Sequence, residues 1–241
     1  VFDEATLAAT GAVMAAAAEA ETVFAVGSQG VEYALVAHWR RAGLLPAALP
    51  MPALKPASPV LVVSGSCSQI TARQIGAAEA AGFALVSLDA AAALSERGWQ
   101  AETDRVRPLV AEPLSRGQSV LVASARGPDD PAIARFNAAM AGAGDEAGVV
   151  HARIGAGLGG LVRRARHECN LARAVLSGGD TSGHAMLAVG AEALEPVASL
   201  AAGVPLLKLR ATDPVIDAME VALKGGQMGD AALFVRARDG A

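Results

Sequence analysis

Three short clusters of small and hydroxylated residues hold most of the chemistry this sequence can offer. They are Ser64-Gly65-Ser66-Cys67-Ser68, Gly178-Gly179-Asp180-Thr181-Ser182-Gly183 and Gly225-Gly226-Gln227-Met228-Gly229, each directly behind an apolar run. Glycine there lets a backbone come close to a ligand, while successive N–H groups, hydroxyls and a helix N-terminus suit an anion. Each cluster taken alone reads first as a tight strand-to-helix turn, because short glycine patterns are common. Three of them on one edge of a parallel sheet describe a phosphate or nucleotide site better than any one does. Asp180 is a carboxylate at such a strand end, where it either holds Mg2+ through water or caps the following helix. Lys224, one of three lysines in the chain, stands where an apolar run meets the third cluster; it reads as a phosphate contact or as an ordinary surface lysine.

The elements that must position these clusters alternate between strand and helix, the pattern of a layered α/β domain with a mainly parallel sheet and Gly-rich loops at strand ends. Val60–Val63 is a β-branched strand, followed by a helix from about Gln69 to Ala81 with Ile70, Ile75 and Ala78 facing inward. Phe83–Leu88, Ser119–Ala123, Ala172–Leu176, Pro205–Leu209 and Ala218–Leu223 are the further strands. The stretch Ala90–Arg116 is expected to be helical in parts, broken at Pro108 and Pro113. Ile154–Glu168 reads as one long helix, and a last helix closes the chain. Upstream, Asp3 caps an amphipathic helix reaching Glu21, Thr22–Val26 reads as a short buried strand, and a second helix runs from Val31 to Arg41. Gly43–Pro59 is a linker by composition, with five prolines. The expected organisation is a small piece over residues 1–45, a Pro-rich linker over 46–58 and the main domain over 59–241.

Composition narrows the function classes. Of 241 residues 53% are hydrophobic, ample for a core, yet only 3% are aromatic and much of the rest is alanine. The longest uncharged run, Pro56–Ala72, is shorter than the roughly 20 apolar residues a bilayer span needs, so no membrane partner is expected and the cytoplasm is the default. The net charge of −4 and the absence of a long basic block argue against nucleic acid as a partner. Cys67 and Cys169 cannot build a disulfide framework, and the four histidines show no metal-ligand spacing. Cys67 has no sequence-placed His–Asp pair to activate it and reads as a small buried residue.

One motif misleads. Gly155-Ala156-Gly157-Leu158-Gly159-Gly160 satisfies G-x-G-x-x-G, with Asp180 downstream as the would-be ribose acid. Ile154, Leu158, Leu161, Val162 and Ala165, however, follow a helical period that places those glycines inside a helix instead of a strand-to-helix turn. Arg163, Arg164 and Arg166 read as the solvated face of that helix.

Val60–Ile75 (VLVVSGSCSQITARQI), Ser177–Gly183 (SGGDTSG) and Leu223–Gly229 (LKGGQMG), in that order, resemble the four-carbon acid-sugar kinase family, whose members phosphorylate threonate, erythronate or 3-oxo-tetronate type acids with ATP. The resemblance runs from about Val60 to the C-terminus and matches the family's C-terminal nucleotide-binding domain. Phe2–Arg41 is similar to the tail of its N-terminal, substrate-binding domain. The resemblance implies ATP contacts at Ser64 or Ser66, at Gly178, Gly179, Asp180 and Thr181, and at Gly226, with ATP and Mg2+ as cofactors. It implies a small-molecule sugar acid as substrate and leaves room for a homodimer. It also implies that the catalytic groups lie in the N-terminal domain and that this chain alone is inactive. The sequence departs from the family at Asp180, usually Glu, at Gly225, usually Ser, and at Gln227-Met228, usually Asn-Phe. Against phosphoryl transfer stand two other readings: a non-catalytic nucleotide-binding or interaction module, and an NAD-linked oxidoreductase using Gly155–Gly160.

Overall fold

The computed structural model describes residues 3–46, 52–142 and 147–240, without the side chain of Asp180. The chain divides into two compact units, Val1–Pro50 and Met51–Ala241.

The first unit is a pair of helices, α1 (Glu4–Ala20) and α2 (Gly30–Arg41). Asp3 starts α1 with a reciprocal cap: its carboxylate accepts from Thr6 N at 2.8 Å, and its own N–H donates to Thr6 Oγ1 at 3.1 Å. A side chain at Gly11 would run into the Ala34 carbonyl, so glycine is what lets the two backbones approach. Thr22–Val26 is not the buried strand its apolar run suggests. It carries no regular structure, with Phe24 90% and Val26 100% exposed. A strand needs a ladder partner, and the described residues of this unit supply none.

In the second unit, Pro52 to Ser58 carries no regular structure, and residues 47–51 of the expected linker lie outside the described residues. The stretch is nonetheless held: Leu54 and Ala57 pack on the core, and Ala57 N donates to Arg238 O at 2.8 Å. The elements that follow are β1 (Val60–Ser64), α3 (Gln69–Ala80), β2 (Ala84–Ser87), a 3-10 turn (Ala90–Leu94), α4 (Glu96–Ser115), β3 (Val120–Ala123), α5 (Pro131–Met140) and α6 (Ala147–Cys169). Then come β4 (Arg173–Ser177), α7 (Gly179–Val189), β5 (Ala193–Ala201), β6 (Val204–Arg210), β7 (Glu220–Lys224) and α8 (Leu233–Asp239). The sheet order is β2-β3-β1-β4-β7-β6-β5. The first five strands are parallel, and β6 and β5 complete the sheet antiparallel.

Alternate residues of the central strands feed two cores. Val60 and Val62 face one that also holds Ile75 and Ala78 of α3 and Leu233 and Phe234 of α8. Leu61 and Val63 face another built with α4, α6 and α7. Burial on both faces is why these strands read as continuous apolar runs, without polar alternation.

Helix α4 corrects the expected break at Pro108 and Pro113: it runs unbroken through both. Each proline removes one donor, but Trp99, Val106, Val110 and Leu114 form a buried stripe whose packing outweighs that loss. Strand β5 was not expected from the sequence. It carries Pro196, which a strand tolerates only at a sheet edge, and the ladder to β6 shifts register there.

Gly155–Gly160 lies within α6 and forms no turn, which removes the dinucleotide reading. The glycines serve packing. A Cβ at Gly155 would stand 2.6 Å from His184 Cβ, and one at Gly159 would collide with the Ala185 backbone, so α7 lies directly on α6. Gly160 faces open space. Gly159→Ala is therefore expected to lower the unfolding free energy by about 1–3 kcal/mol through overpacking. Gly160→Ala should raise it by about 0.5–1 kcal/mol, since alanine is the better helix former. Urea melts of the two single variants measure this opposite pair. The arginines of α6 are not simply a solvated face. Arg163 donates to Val189 O at 2.8 Å and to Asp213, and Arg166 donates to Val215 O and Leu171 O. Both tie the helix to neighbouring loops.

Candidate functional site

Strands β1, β4 and β7 are adjacent and parallel, and their last residues lie side by side: Ser64 pairs with Ser177, and Ser177 with Lys224. The glycines that follow, Gly65, Gly178 and Gly225, therefore start from one row at the carboxyl edge of the sheet. The ladder continues one step beyond the strands, with Gly65 N donating to Ser177 O and Gly178 N to Lys224 O, each at 2.9 Å. Helix α3 leaves β1 toward one core and α7 leaves β4 toward the other. The chain thus parts to either side between β1 and β4, the place where open α/β sheets form a ligand crevice.

Hydroxyls shape the first loop and tie it to the third. Ser64 is fully buried, and its Oγ accepts from Ser66 N at 3.3 Å, shaping the turn from within. Ser66 Oγ lies 2.9 Å from Thr71 Oγ1. Ser68 caps α3, accepting from Thr71 N at 3.1 Å, and its hydroxyl donates to Gly226 O. Cys67 is exposed, contrary to the buried position expected of it. Partial burial of the thiol, with the Asp130 charge adding to it, pushes its pKa up, away from the thiolate that nucleophilic chemistry requires.

Gly178 has φ of +132°, a conformation other residues rarely adopt, and it is the residue before α7. Gly179 through Ser182, expected as loop, instead form the first turn of that helix. The N–H groups of Gly179, Asp180 and Thr181 precede the first bond of the helix, from Ser182 N to Gly178 O at 3.1 Å. Thr181 rests its hydroxyl over two glycines: a Cβ would lie 2.6 Å from Thr181 Oγ1 at Gly65 and 3.1 Å from it at Gly178. Asp180 sits at the second position of α7, its side chain outside the described residues. Gly226 is equally constrained, since a Cβ there would stand 3.0 Å from Ser66 Oγ.

Lys224 joins the loops. Of the two sequence readings, the ordinary surface lysine is excluded, because only 1% of the residue is exposed. Its Nζ donates to Thr71 Oγ1 at 2.8 Å, Gly226 O at 3.1 Å and Ser177 Oγ at 3.2 Å. All three partners are neutral. Among the described residues no carboxylate compensates the ammonium, and burial alone lowers its pKa to about 8. The residues that sequence reasoning missed are Thr71, Gln74 and Ser177. Gln74 is buried, and its Nε2 donates to Met228 O at 3.0 Å and Asp230 O at 2.9 Å, fastening the third loop to α3. Its Oε1 finds no partner among the described residues. Thr71 and Gln74 share the inward stripe of α3 with Ile75 and Ala78, so polar residues on an apolar stripe were the available signal. Of the residues expected at the site, the structure brings Ser64, Ser66, Gly178, Gly179, Thr181, Gly226 and the backbone of Asp180 to one edge.

Comparison with known proteins agrees with this architecture. The family described as "Nucleotide-binding C-terminal domain" matches residues 61–234. A 3-oxo-isoapionate kinase of Paraburkholderia graminis is 42% identical over 240 residues, all of this chain and 51% of that protein. A 3-oxo-tetronate kinase of Cupriavidus necator is 31% identical over 211 residues, 86% of this chain and 44% of that protein. The chain thus spans about half the length of the curated relatives it matches. Among solved structures, a Haemophilus influenzae protein superposes with a TM-score of 0.62 at 21% identity, over 98% of this chain and 51% of its own. A Bordetella bronchiseptica domain of unknown function, solved with citrate as a domain-swapped dimer, gives 0.57 at 24% identity over 100% and 51%. At such identities these two likenesses concern the fold alone. With the family match covering residues 61–234 and the Paraburkholderia kinase aligned over all of the chain, the chain belongs to the four-carbon acid-sugar kinase family, and residues 61–234 match its nucleotide-binding C-terminal domain.

Proposed function

We propose that this chain is the ATP-holding part of a kinase that phosphorylates a short 3-oxo sugar acid. The observation that carries the reading is Lys224, a buried ammonium without a described carboxylate partner, where three glycine loops converge. Isolated buried charge is costly, and a site that tolerates one is suited to a ligand of opposite charge. A nucleotide's phosphates fit that role. Lys224 attracts them, and the N–H groups at the start of α7 point a positive helix end at them. Ser66, Ser68, Thr71 and Thr181 add hydroxyls, and Gly178, Gly179 and Gly226 leave backbone open to approach. The edge is rich in oxygen donors, which suits Mg2+ bound alongside phosphate oxygens, with Asp180 as the acid assigned to it. Mg2+ supplies charge neutralisation there. Phosphoryl transfer asks little covalent chemistry of the protein, so the contribution of these residues is to fix and neutralise the triphosphate.

The acceptor must be held in line with the γ-phosphate by residues outside the second unit. We assign residues 1–45 to the tail of the substrate domain. Losing acceptor alignment forfeits roughly 7–11 kcal/mol of catalysis, so the 241-residue chain should bind ATP–Mg2+ without phosphorylating a sugar acid. The test pairs calorimetric titration of the chain with a coupled ADP-release assay on 3-oxo sugar acids. The assay is run on the chain alone and on the chain fused to the amino-terminal half of the Paraburkholderia relative. Binding by the chain, with turnover only in the fusion, is the expected result. Absence of ATP binding by both would defeat the reading.

A further inference from the structure

Exposed apolar surface is unevenly shared between the two units. Among the described residues, eight of the thirteen exposed large hydrophobic side chains lie between Val13 and Leu45, all in the first unit. The buried residues described there are only Ala8, Gly11 and Ala34. So small a core cannot offset the roughly 1–2 kcal/mol of backbone entropy lost per ordered residue. The unit is built to be covered. Its Thr22–Val26 segment has the residues of a strand and alternates as one. Val23 and Ala25 line an open groove with Met14 of α1 and with Leu35 and Trp39 of α2. Phe24 and Val26 lie outside that groove and are almost wholly exposed. Among the described residues no backbone hydrogen bond joins the segment to another.

Strand β5 shows by contrast how a sheet edge is kept from pairing. It carries Pro196 and two register shifts, with Glu195 beside them. Thr22–Val26 has no proline and no charge, only Thr, Val, Phe, Ala and Val. An unguarded run of that kind calls for a ladder partner. The partner must offer a sheet edge to the free N–H and C=O groups and an apolar layer over Phe24 and Val26, since both helices lie on the Val23 side. The family match begins at residue 61, so this unit lies outside it, yet the Paraburkholderia kinase aligns through the unit and has about as much chain again beyond the match. A helix, a strand with apolar residues on both faces and a second helix are the parts of a parallel sheet covered on both sides. A ribbon between two copies of this chain is the weaker solution, because two-stranded pairs are marginal in water.

We propose that Thr22–Val26 is a docking strand, which adds to the edge of a sheet in the amino-terminal half of the kinase and buries Phe24 and Val26 beneath that half. The proposal deepens the assignment of residues 1–45 to the substrate domain, and its test separates it from the nucleotide reading. Amide hydrogen exchange is followed in the 241-residue chain and in the chain fused to the amino-terminal half of the Paraburkholderia relative. The amides of Val23–Val26 should exchange freely in the chain alone and at least ~100-fold more slowly in the fusion, as amides of a docked ladder do. Phe24→Asp combined with Val26→Asp should restore fast exchange in the fusion. The same pair should leave the thermal melt of the chain alone unchanged, because both side chains are exposed there. Protection that survives both substitutions overturns the buried face. Protection already present in the chain alone, and growing with its concentration, means that copies pair with one another and overturns the proposal. Fast exchange in both proteins overturns it as well; if the fusion does not melt cooperatively, the aligned segment of the intact Paraburkholderia kinase decides by the same readout. Fast exchange in a fusion that still phosphorylates a 3-oxo sugar acid removes the docking strand alone. Protection in a fusion that binds no ATP keeps the docking strand and removes the nucleotide reading.

Discussion

Replacing Lys224 by methionine is expected to weaken ATP–Mg2+ binding by roughly 10- to 150-fold, the usual contribution of about 1.5–3 kcal/mol from a charged hydrogen-bonding group. The same substitution should not lower stability at pH 7. The native ammonium is buried among Thr71, Ser177 and the Gly226 carbonyl, all neutral, and methionine has similar length without the desolvation cost. The pH dependence carries a definite sign. Burial lowers the folded-state pKa from 10.5 to about 8, so above pH 8 the unfolded chain holds the proton more firmly than the native one. Unfolding free energy therefore rises as pH climbs from about 8 toward 10.5, and Lys224→Met should lose that rise. Nucleotide binding acts in the opposite direction, since phosphate favours the charged form. Titrations near pH 8 in buffers of different ionisation heat should show proton uptake on ATP binding, absent in Lys224→Met. A lysine that merely fastens the loop, remote from the phosphates, would show no such uptake.

The second large effect concerns the opposite end of the same strands. Arg173 opens β4 and is 1% exposed. Its guanidinium donates to Glu220 Oε2 from Nε at 2.8 Å and from Nη2 at 2.5 Å, and to Ala237 O from Nη1. It therefore joins β4, β7 and α8 in one contact. Arg173→Ala leaves a void, an unpaired carbonyl and a carboxylate without its partner. Breaking such a pair costs about 3–5 kcal/mol; with Glu220 reaching solvent, about 3 kcal/mol is expected, a drop in Tm of roughly 6–12 °C. Over the length of β4 the change is about 13 Å from the loop edge, so ATP affinity of the folded variant should stay within about 2-fold of the unmodified chain. The two substitutions are thus expected to dissociate. One removes binding and keeps the fold; the other weakens the fold and keeps binding. Thermal melts and titrations on both variants read the contrast.

Most of the framework was legible because the central strands are buried on both faces, so the expected strands Val60–Val63, Ser119–Ala123 and Ala172–Leu176 are each dominated by consecutive apolar residues. The helical period around Ile154 likewise outweighed a formal dinucleotide motif, and the structure shows its glycines serving helix contact. What escaped depended on tertiary context. Thr22–Val26 has the composition of a strand without a partner, Pro108 and Pro113 sit in a helix held by its buried stripe, and β5 tolerates Pro196 only as an edge. At the site, the glycines announced themselves, but the side chains that lock the loops did not. Thr71 and Gln74 matter through contacts some 150 residues away in the chain, and the burial of Lys224 follows from the fit of β7 between its neighbours. No local pattern encodes such distances.

A crystal structure of the 241-residue chain with a non-hydrolysable ATP analogue and Mg2+ tests the central claim most directly. The account predicts the phosphate chain over the start of α7, within hydrogen-bond distance of Thr181 and the Gly226 loop and next to Lys224 Nζ. Phosphates seated along α6, beside β5 and β6, or anywhere that leaves the Lys224 edge untouched would contradict it.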